Sequence, residues 1–254
     1  MKTRLPAAGL RQDAATTILS LMPIEVLYEE QSVLVIHKPA GILTQAPPGI
    51  DSLEVQIKAW LREREQIKGD VYLAIIHRLD RPASGAIAFC RERAPAKWLS
   101  RQFEHRRVAK TYWAFVEGKV VSSEGTWTDH LYKIHGMAQA KVVPADHPGA
   151  KQAVLHYRVL SVSGRGTWLE VALETGRTHQ VRVQAASRGY PILGDRQYGA
   201  ERSFGENHDD ERARAIALHA RSLAFTHPET QDLVEVVAPL PPAWEELDLP
   251  VELF

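Results

Sequence analysis

The chain has 254 residues, 44% of them hydrophobic and 24% charged, which is the ordinary globular range and enough for a sizeable core in one large or two small domains. Lysine plus arginine and aspartate plus glutamate are equal at 31 each, so net charge alone gives no reason to expect a polyanion partner. No apolar run reaches the length of a membrane span or forms the core of a signal peptide, and the one cysteine, Cys90, excludes an internal disulfide and a thiolate metal cluster. A single reduced thiol fits a reducing cytoplasm.

The charges are unevenly spread. Residues 71–120 hold ten Lys and Arg against four acids, while residues 201–254 hold four Arg against twelve acids. This asymmetry predicts a basic face for a polyanion and an acidic far side.

In chain order, residues 1–22 read as an N-terminal arm and residues 23–254 as one domain. Ile24–Tyr28 and Ser32–His37 read as paired strands, broken by Lys38-Pro39-Ala40-Gly41. Asp51 with Glu54 forms a capping-box signal, and Leu53, Ile57, Trp60 and Leu61 give an amphipathic helix that ends before Gly69. The apolar runs Val71–Ile76 and Ala86–Cys90 read as buried strands. Pro95 starts a helix with Trp98, Leu99 and Phe103 on its apolar side. Arg107–Gly118 is a strand with Lys110 and Tyr112 on one face and Thr111, Trp113 and Phe115 on the other. Val121–His147 is weakly patterned, with short strand-like pieces such as Gly125-Thr126-Trp127. Ala153–Val162 and Thr167–Glu174 form a hairpin about Ser163–Gly166. Thr178 caps a helix from His179 to about Arg188, closed by Gly189. Pro191–Asp195 is a turn-rich connection and Ser203–Arg212 a polar loop. Ile216–Phe225 and Asp232–Ala238 are late strands, and Pro241-Pro242 opens a short acidic helix. The fold class is therefore α+β: a mixed, mostly antiparallel sheet with helices packed on it.

Two stretches carry chemistry. His77-Arg78-Leu79-Asp80-Arg81-Pro82-Ala83-Ser84-Gly85 sets a carboxylate between two arginines on a turn between buried strands. Adjacent cations favour the ionised form of Asp80, which suits a nucleophile better than a general acid. Taken alone, the cluster also fits a structural ion pair in a tight turn. Gly176-Arg177-Thr178-His179-Gln180-Val181-Arg182 sets two arginines, a histidine and a glutamine at a strand-to-helix junction, where an anion could be met. No dinucleotide fingerprint, Walker loop, zinc-protease helix or serine-hydrolase elbow is present, so neither a metal nor a cofactor is expected. His77–Asp80 superficially resembles a kinase catalytic loop, but the other kinase signatures are missing.

Together these segments resemble the RluA-type pseudouridine synthases, which isomerise uridine in structured RNA. His77–Gly85 resembles the family's catalytic motif, with Ala83 where Thr is usual. Lys110–Gly118 resembles its second motif. Gly176–Arg182, with Pro191-Ile192-Leu193-Gly194-Asp195 and Tyr198-Gly199, resembles its third, and Val33–Gly41 its first strand ending in Lys-Pro-x-Gly. The resemblance covers about Ile24 to Ala238 and implies a catalytic domain without the family's small N-terminal S4 RNA-binding domain.

Carried over residue by residue, it implies Asp80 as nucleophile, at the sugar's anomeric carbon or on the base. Arg182 would pair with Asp80, and Tyr112 would stack on the base and help remove the ring proton. Arg78 would replace the flipped nucleotide in the RNA helix, and Leu193 would line the base pocket. His77, Arg81, Arg177, Gln180, Arg106, Arg107 and Lys110 are expected to face the RNA. Trp113 and Phe115 are expected in the core, and Lys38 is read as solvated or structural. The implied partner is tRNA or rRNA, bound by a monomer without cofactor. Two other readings remain open: a non-catalytic RNA-binding protein on the same scaffold, and a glycoside hydrolase, for which Asp195 is the nearest second carboxylate.

Overall fold

The computed structural model describes residues 22–247. The expected N-terminal arm lies almost wholly outside these residues, as does the end of the acidic C-terminus. The described residues form an eleven-stranded sheet flanked by three α-helices. The strands are β1 (Val26–Glu30), β2 (Val33–Lys38), β3 (Ala74–Ile75), β4 (Ser84–Cys90), β5 (Ala109–Val116), β6 (Glu124–Lys133), β7 (Ala140–Val143), β8 (Lys151–Ser163), β9 (Gly166–Leu173), β10 (Leu218–Thr226) and β11 (Leu233–Val237). The helices are α1 (Leu53–Arg64), α2 (Arg93–Glu104) and α3 (Gln180–Ala186). The spatial order is β1-β2-β4-β10-β5-β9-β8-β6-β7, with β3 beside β4 and β11 beside β10. Every pairing is antiparallel except β4 with β10, so the expected mixed, mostly antiparallel sheet is observed.

The parallel join brings the N-terminal and C-terminal halves of the sheet together. There Gly85 pairs with Ala220 at φ +119°, and a Cβ on Gly85 would lie 2.4 Å from the Ala220 carbonyl oxygen. Only glycine fits, because that backbone region is barred to side chains and no space is left for one.

The helices form where apolar positions recur at helical spacing. Leu53, Ile57 and Leu61 of α1 are fully buried against Leu34, Ile36, Ile87 and Phe89 of the sheet. Its N-cap is Ser52, whose hydroxyl accepts from the Val55 N–H, and not the expected capping box of Asp51 and Glu54. Asp51 instead accepts from Ser52 N and Gln56 Nε2, and Glu54 pairs with Lys58. On the opposite face of the sheet, α2 buries Leu99 among Val33, Val35, Ala86 and Ala88.

The weakly patterned segment holds β6 and β7. Its alternation is masked because the inward-facing series of β6 runs Trp127, Asp129, Leu131. Asp129 is tolerated inside because Gln184 Nε2 and Arg188 Nη1 donate to it from the α3 region, at 2.7 and 2.8 Å. Helix α3 is shorter than expected and buries six of its seven residues. Its N-cap is His179 in the left-handed region, φ 52°, and not Thr178. Val71–Ile76 pairs with β4 only at Ala74 and Ile75.

Candidate active site

Asp80 lies on the turn that feeds β4, and each backbone carbonyl from Leu79 to Ala83 has a partner. Leu79 O accepts from Thr44 Oγ1, Asp80 O from Ala83 N, and Pro82 O from Ile216 N. Arg81 O accepts from Gly41 N and Lys38 Nζ, and Ala83 O from Lys38 Nζ at 2.7 Å. Lys38 also donates to Pro39 O at 2.9 Å and is 0% exposed, so its role is structural and the solvated alternative is ruled out. An ammonium with three donors meets three carbonyls here. Burial draws its pKa from 10.5 down to about 7, opposed by the nearby Asp80 charge.

The Asp80 carboxylate is 26% exposed and opens into a cleft of roughly 1770 Å³. Arg182 Nη1 is 3.3 Å from its Oδ2, so the expected pair is present, but Arg182 is committed more strongly elsewhere. Its Nε and Nη2 hold Asp195 at 2.6 and 2.8 Å, and Nη2 also donates to Gln197. Both Arg182 and Asp195 are almost fully buried, at 3% and 2% exposed. Removing the guanidinium would leave a buried carboxylate uncompensated, which costs about 3–5 kcal/mol in comparable pairs. Asp195 has both oxygens held by Arg182 and is 2% exposed, so it serves as an ion-pair partner and not as a free second carboxylate, which counts against the glycoside hydrolase reading.

His179 closes the other side of Asp80, with its Nε2 3.8 Å from Oδ1. Its Nδ1 shares a 2.9 Å hydrogen bond with the Tyr198 hydroxyl, which in turn takes the Ala140 N–H at 2.9 Å. Burial lowers the His179 pKa, the Asp80 charge opposing. The Arg182 guanidinium stands 4.9 Å over the Tyr198 ring. His179 and Tyr198 belong to the motifs, but sequence reasoning gives them no place in this site, and it offers Asp195 only as a second carboxylate and not as the partner of Arg182. Spacing along the chain does not reveal that they converge on one guanidinium and one carboxylate.

Tyr112 lines the same cleft from β5 and packs between two core clusters. Burial first, and the Asp80 charge second, push its phenol above the usual range. Trp113 and Phe115 are buried on the opposite strand face, as expected. Arg78 lines the cleft, is exposed, and makes no hydrogen bond or ion pair among the described residues.

Several expected RNA-facing residues are occupied by the fold. Leu193 is 2% exposed in the core and does not line the cleft; Ile216 and Leu218 provide apolar wall instead. Gln180 is 3% exposed, accepts from Thr175 Oγ1 and Arg177 N, and donates to Val154 O. His77 stacks on Phe103 at 4.5 Å, and its Nε2 accepts the Ala88 N–H, so it is held neutral, its pKa lowered by burial to about 3. Arg81 donates to Gly41 O at 2.8 Å and pairs with Asp210. Arg107 is exposed but outside the cleft lining. Arg106, Lys110 and Arg177 do line it, Arg106 paired with Glu174. Of the acidic segment 201–254, Glu211 is the one carboxylate among the described residues that lines the cleft, together with Arg212 and Arg214. In all, twelve Lys and Arg line the cleft against five carboxylates, which makes it an anion-attracting groove.

The family model described as RNA pseudouridylate synthase matches residues 32–187 of the chain. An uncharacterized RNA pseudouridine synthase of Bacillus subtilis is 33% identical over 232 residues, 90% of this chain and 72% of that protein. The ribosomal large subunit pseudouridine synthase D of Pasteurella multocida is 32% identical over 89% of this chain and 70% of its own length. Among solved structures, human RNA pseudouridylate synthase domain containing 1 superposes with a TM-score of 0.66 at 25% identity, covering 87% of this chain and 85% of that one. Human RNA pseudouridylate synthase domain containing 4 shares the fold at 0.71 and 23% identity, covering 88% and 92%.

Fold, cleft and relatives together define an RNA-modifying isomerase. Within that class the chain belongs to the RluA-type pseudouridine synthase family.

Proposed function

We propose that this enzyme converts particular uridines of tRNA or rRNA to pseudouridine, with Asp80 as the nucleophile on a nucleotide flipped out of its helix, and that residues 23–254 form the catalytic domain. The observation that carries the reading is the fixed turn around Asp80. With the Leu79–Ala83 carbonyls all bonded, the carboxylate is held beside Arg182 at the floor of a basic cleft. Such preorganisation is what positions a nucleophile without reorganisation during reaction.

The isomerisation breaks the N1–C1′ bond and forms a C5–C1′ bond. C5 loses a proton and N1 gains one, so no oxidant, reductant or net water is needed. Asp80 adds to the uridine and is released when C5 is joined. Tyr112 supplies an aromatic surface for the extruded base. Its phenol is a poor base while burial and Asp80 keep it neutral, so the C5 proton goes more readily to the freed Asp80 carboxylate than to the tyrosine. Arg78, unengaged by the protein, fills the gap left in the RNA helix. Flipping costs about a few kcal/mol, which phosphate contacts along the cleft offset. The reading has the enzyme acting as a monomer in the cytoplasm, a reducing setting that suits the buried free thiol of Cys90.

The test uses total RNA from cells lacking the gene. Wild type restores pseudouridine at discrete positions, while Asp80→Asn restores none and binds the same RNA nearly as well. A variant that modifies RNA as fast as wild type would refute the nucleophile, and a wild type that modifies no position would favour the non-catalytic binder.

A further inference from the structure

Beside the cleft lies a second, smaller cavity that the chemistry above does not use. Its volume is roughly 230 Å³, and it is lined by Leu131, Tyr132 and Lys133 of β6, by Lys151 at the start of β8, and by Gly176–Thr178. Lys133, Gly176, Arg177 and Thr178 also line the main cleft, so the two spaces are continuous. No carboxylate lines it. The Lys133 and Lys151 side chains are exposed and have no ion pair or hydrogen bond among the described residues. Arg177 is aimed by one bond, Nε to Gln152 O at 2.9 Å, and its terminal nitrogens have no partner among the described residues. Three cations thus converge on a space without a counter-charge.

We propose that this pocket is a phosphate subsite that holds the RNA backbone along the strand from the target uridine, through Lys133, Lys151 and Arg177. The inference rests on the reading of the cleft given above. The cavity is smaller than the roughly 300 Å³ at which drug-sized pockets begin, which suits a phosphate with part of its sugar. Three unpaired cations without a carboxylate favour an anion, and the Thr178 hydroxyl adds a neutral donor. Continuity with the cleft makes that anion part of the same strand. Lys133, Gly176, Arg177 and Thr178 line both spaces, so the subsite adjoins the cleft into which Asp80 opens. Tyr132, tilted against His147 at 4.6 Å, gives the pocket an aromatic wall. The subsite is built by β6, and its position makes it a reader of strand path rather than of base identity.

The experiment measures binding of a fluorescent single-stranded oligouridylate across a salt series by wild type and by the double variant Lys133→Ala/Lys151→Ala. The slope of log affinity against log salt should shrink by about 0.7, the share of the one phosphate that is no longer neutralised. KM for the mapped RNA should rise with kcat unchanged. A control double variant away from both cavities, Lys68→Ala/Lys119→Ala, removes the same charge and should keep the wild-type slope. An unchanged slope in the first variant, or an equal fall in the control, overturns the subsite. The same pair of lysine changes in an Asp80→Asn background separates the two readings. A slope that falls there while wild type forms no pseudouridine refutes the isomerase assignment and retains the subsite.

Discussion

A single side chain sets the geometry of the Asp80 turn. Lys38 has no access to solvent and holds carbonyls of residues 39, 81 and 83 together, so the Asp80 turn is pinned to the end of β2. The next glycine of that motif, Gly41 at φ +89°, donates its N–H to Arg81 O and leaves no room for a side chain, since a Cβ would lie 2.7 Å from Ala213 O. Burial lowers the Lys38 pKa from 10.5 to about 7, so between those values the unfolded chain holds a proton that the fold releases. Stability therefore rises with pH across that window and is flat below it with respect to this group. Lys38→Met removes the titration. The stability difference between wild type and variant should climb from about pH 7 toward 10.5, by at most about 1.4 kcal/mol per pH unit. Denaturant melts of both proteins across the window check this, and parallel curves would show that Lys38 titrates normally in the fold.

Among elements, α3 and the β4–β10 join do the positioning. Helix α3 is buried nearly all round, and its polar donors are paired off: Gln180 Nε2 with Val154, Arg182 with Asp195, and Gln184 Nε2 with Trp127 and Asp129. That is why its arginine can stand so deep without losing its charge. The β4–β10 join is the one parallel pairing among the described strands, and it sets the Asp80 turn against the strand carrying His219. Gly85→Ala puts a Cβ 2.4 Å from a backbone oxygen in a strained region, so the two strands must separate. A loss of roughly 3 kcal/mol or more is expected, the range of the severe single substitutions. Thermal melting reads it, and a variant within about 1 kcal/mol of wild type would mean that the join is soft.

Across the whole molecule the acid response follows from two histidine rings whose pKa burial lowers to about 3, His77 and His219. His219 is fully buried, its Nδ1 accepting from the Ser84 hydroxyl and its Nε2 facing Ala238 O. Burial lowers its pKa from 6.5 to about 3. Between those values the unfolded chain takes up a proton that the fold refuses, so stability is complete above 6.5 and falls as pH drops toward 3. His219→Gln has no proton to take up, and its melting temperature should fall less steeply with acid than that of wild type. Equal slopes would place the acid sensitivity elsewhere.

The amino-acid order determined the strand and helix pattern wherever apolar residues alternate or recur without interruption, as in β2, β4, β5 and α1. It also determined the chemistry within each motif, because Asp80, Tyr112 and Arg182 sit in stretches whose residue types are informative at short range. It showed β6 only as a short strand-like piece at Gly125–Trp127 and did not show β7; the half-buried Asp129 of β6 breaks the alternation and is acceptable only because Gln184 and Arg188 reach it. Nor did it show that Arg182 belongs mainly to Asp195, that Gln180 and Leu193 are consumed by the fold, or that Lys133 and Lys151 share a pocket with Arg177. Those facts depend on which side chains meet across the sheet, and a local pattern records what a segment can become, not which distant group will neutralise its charge.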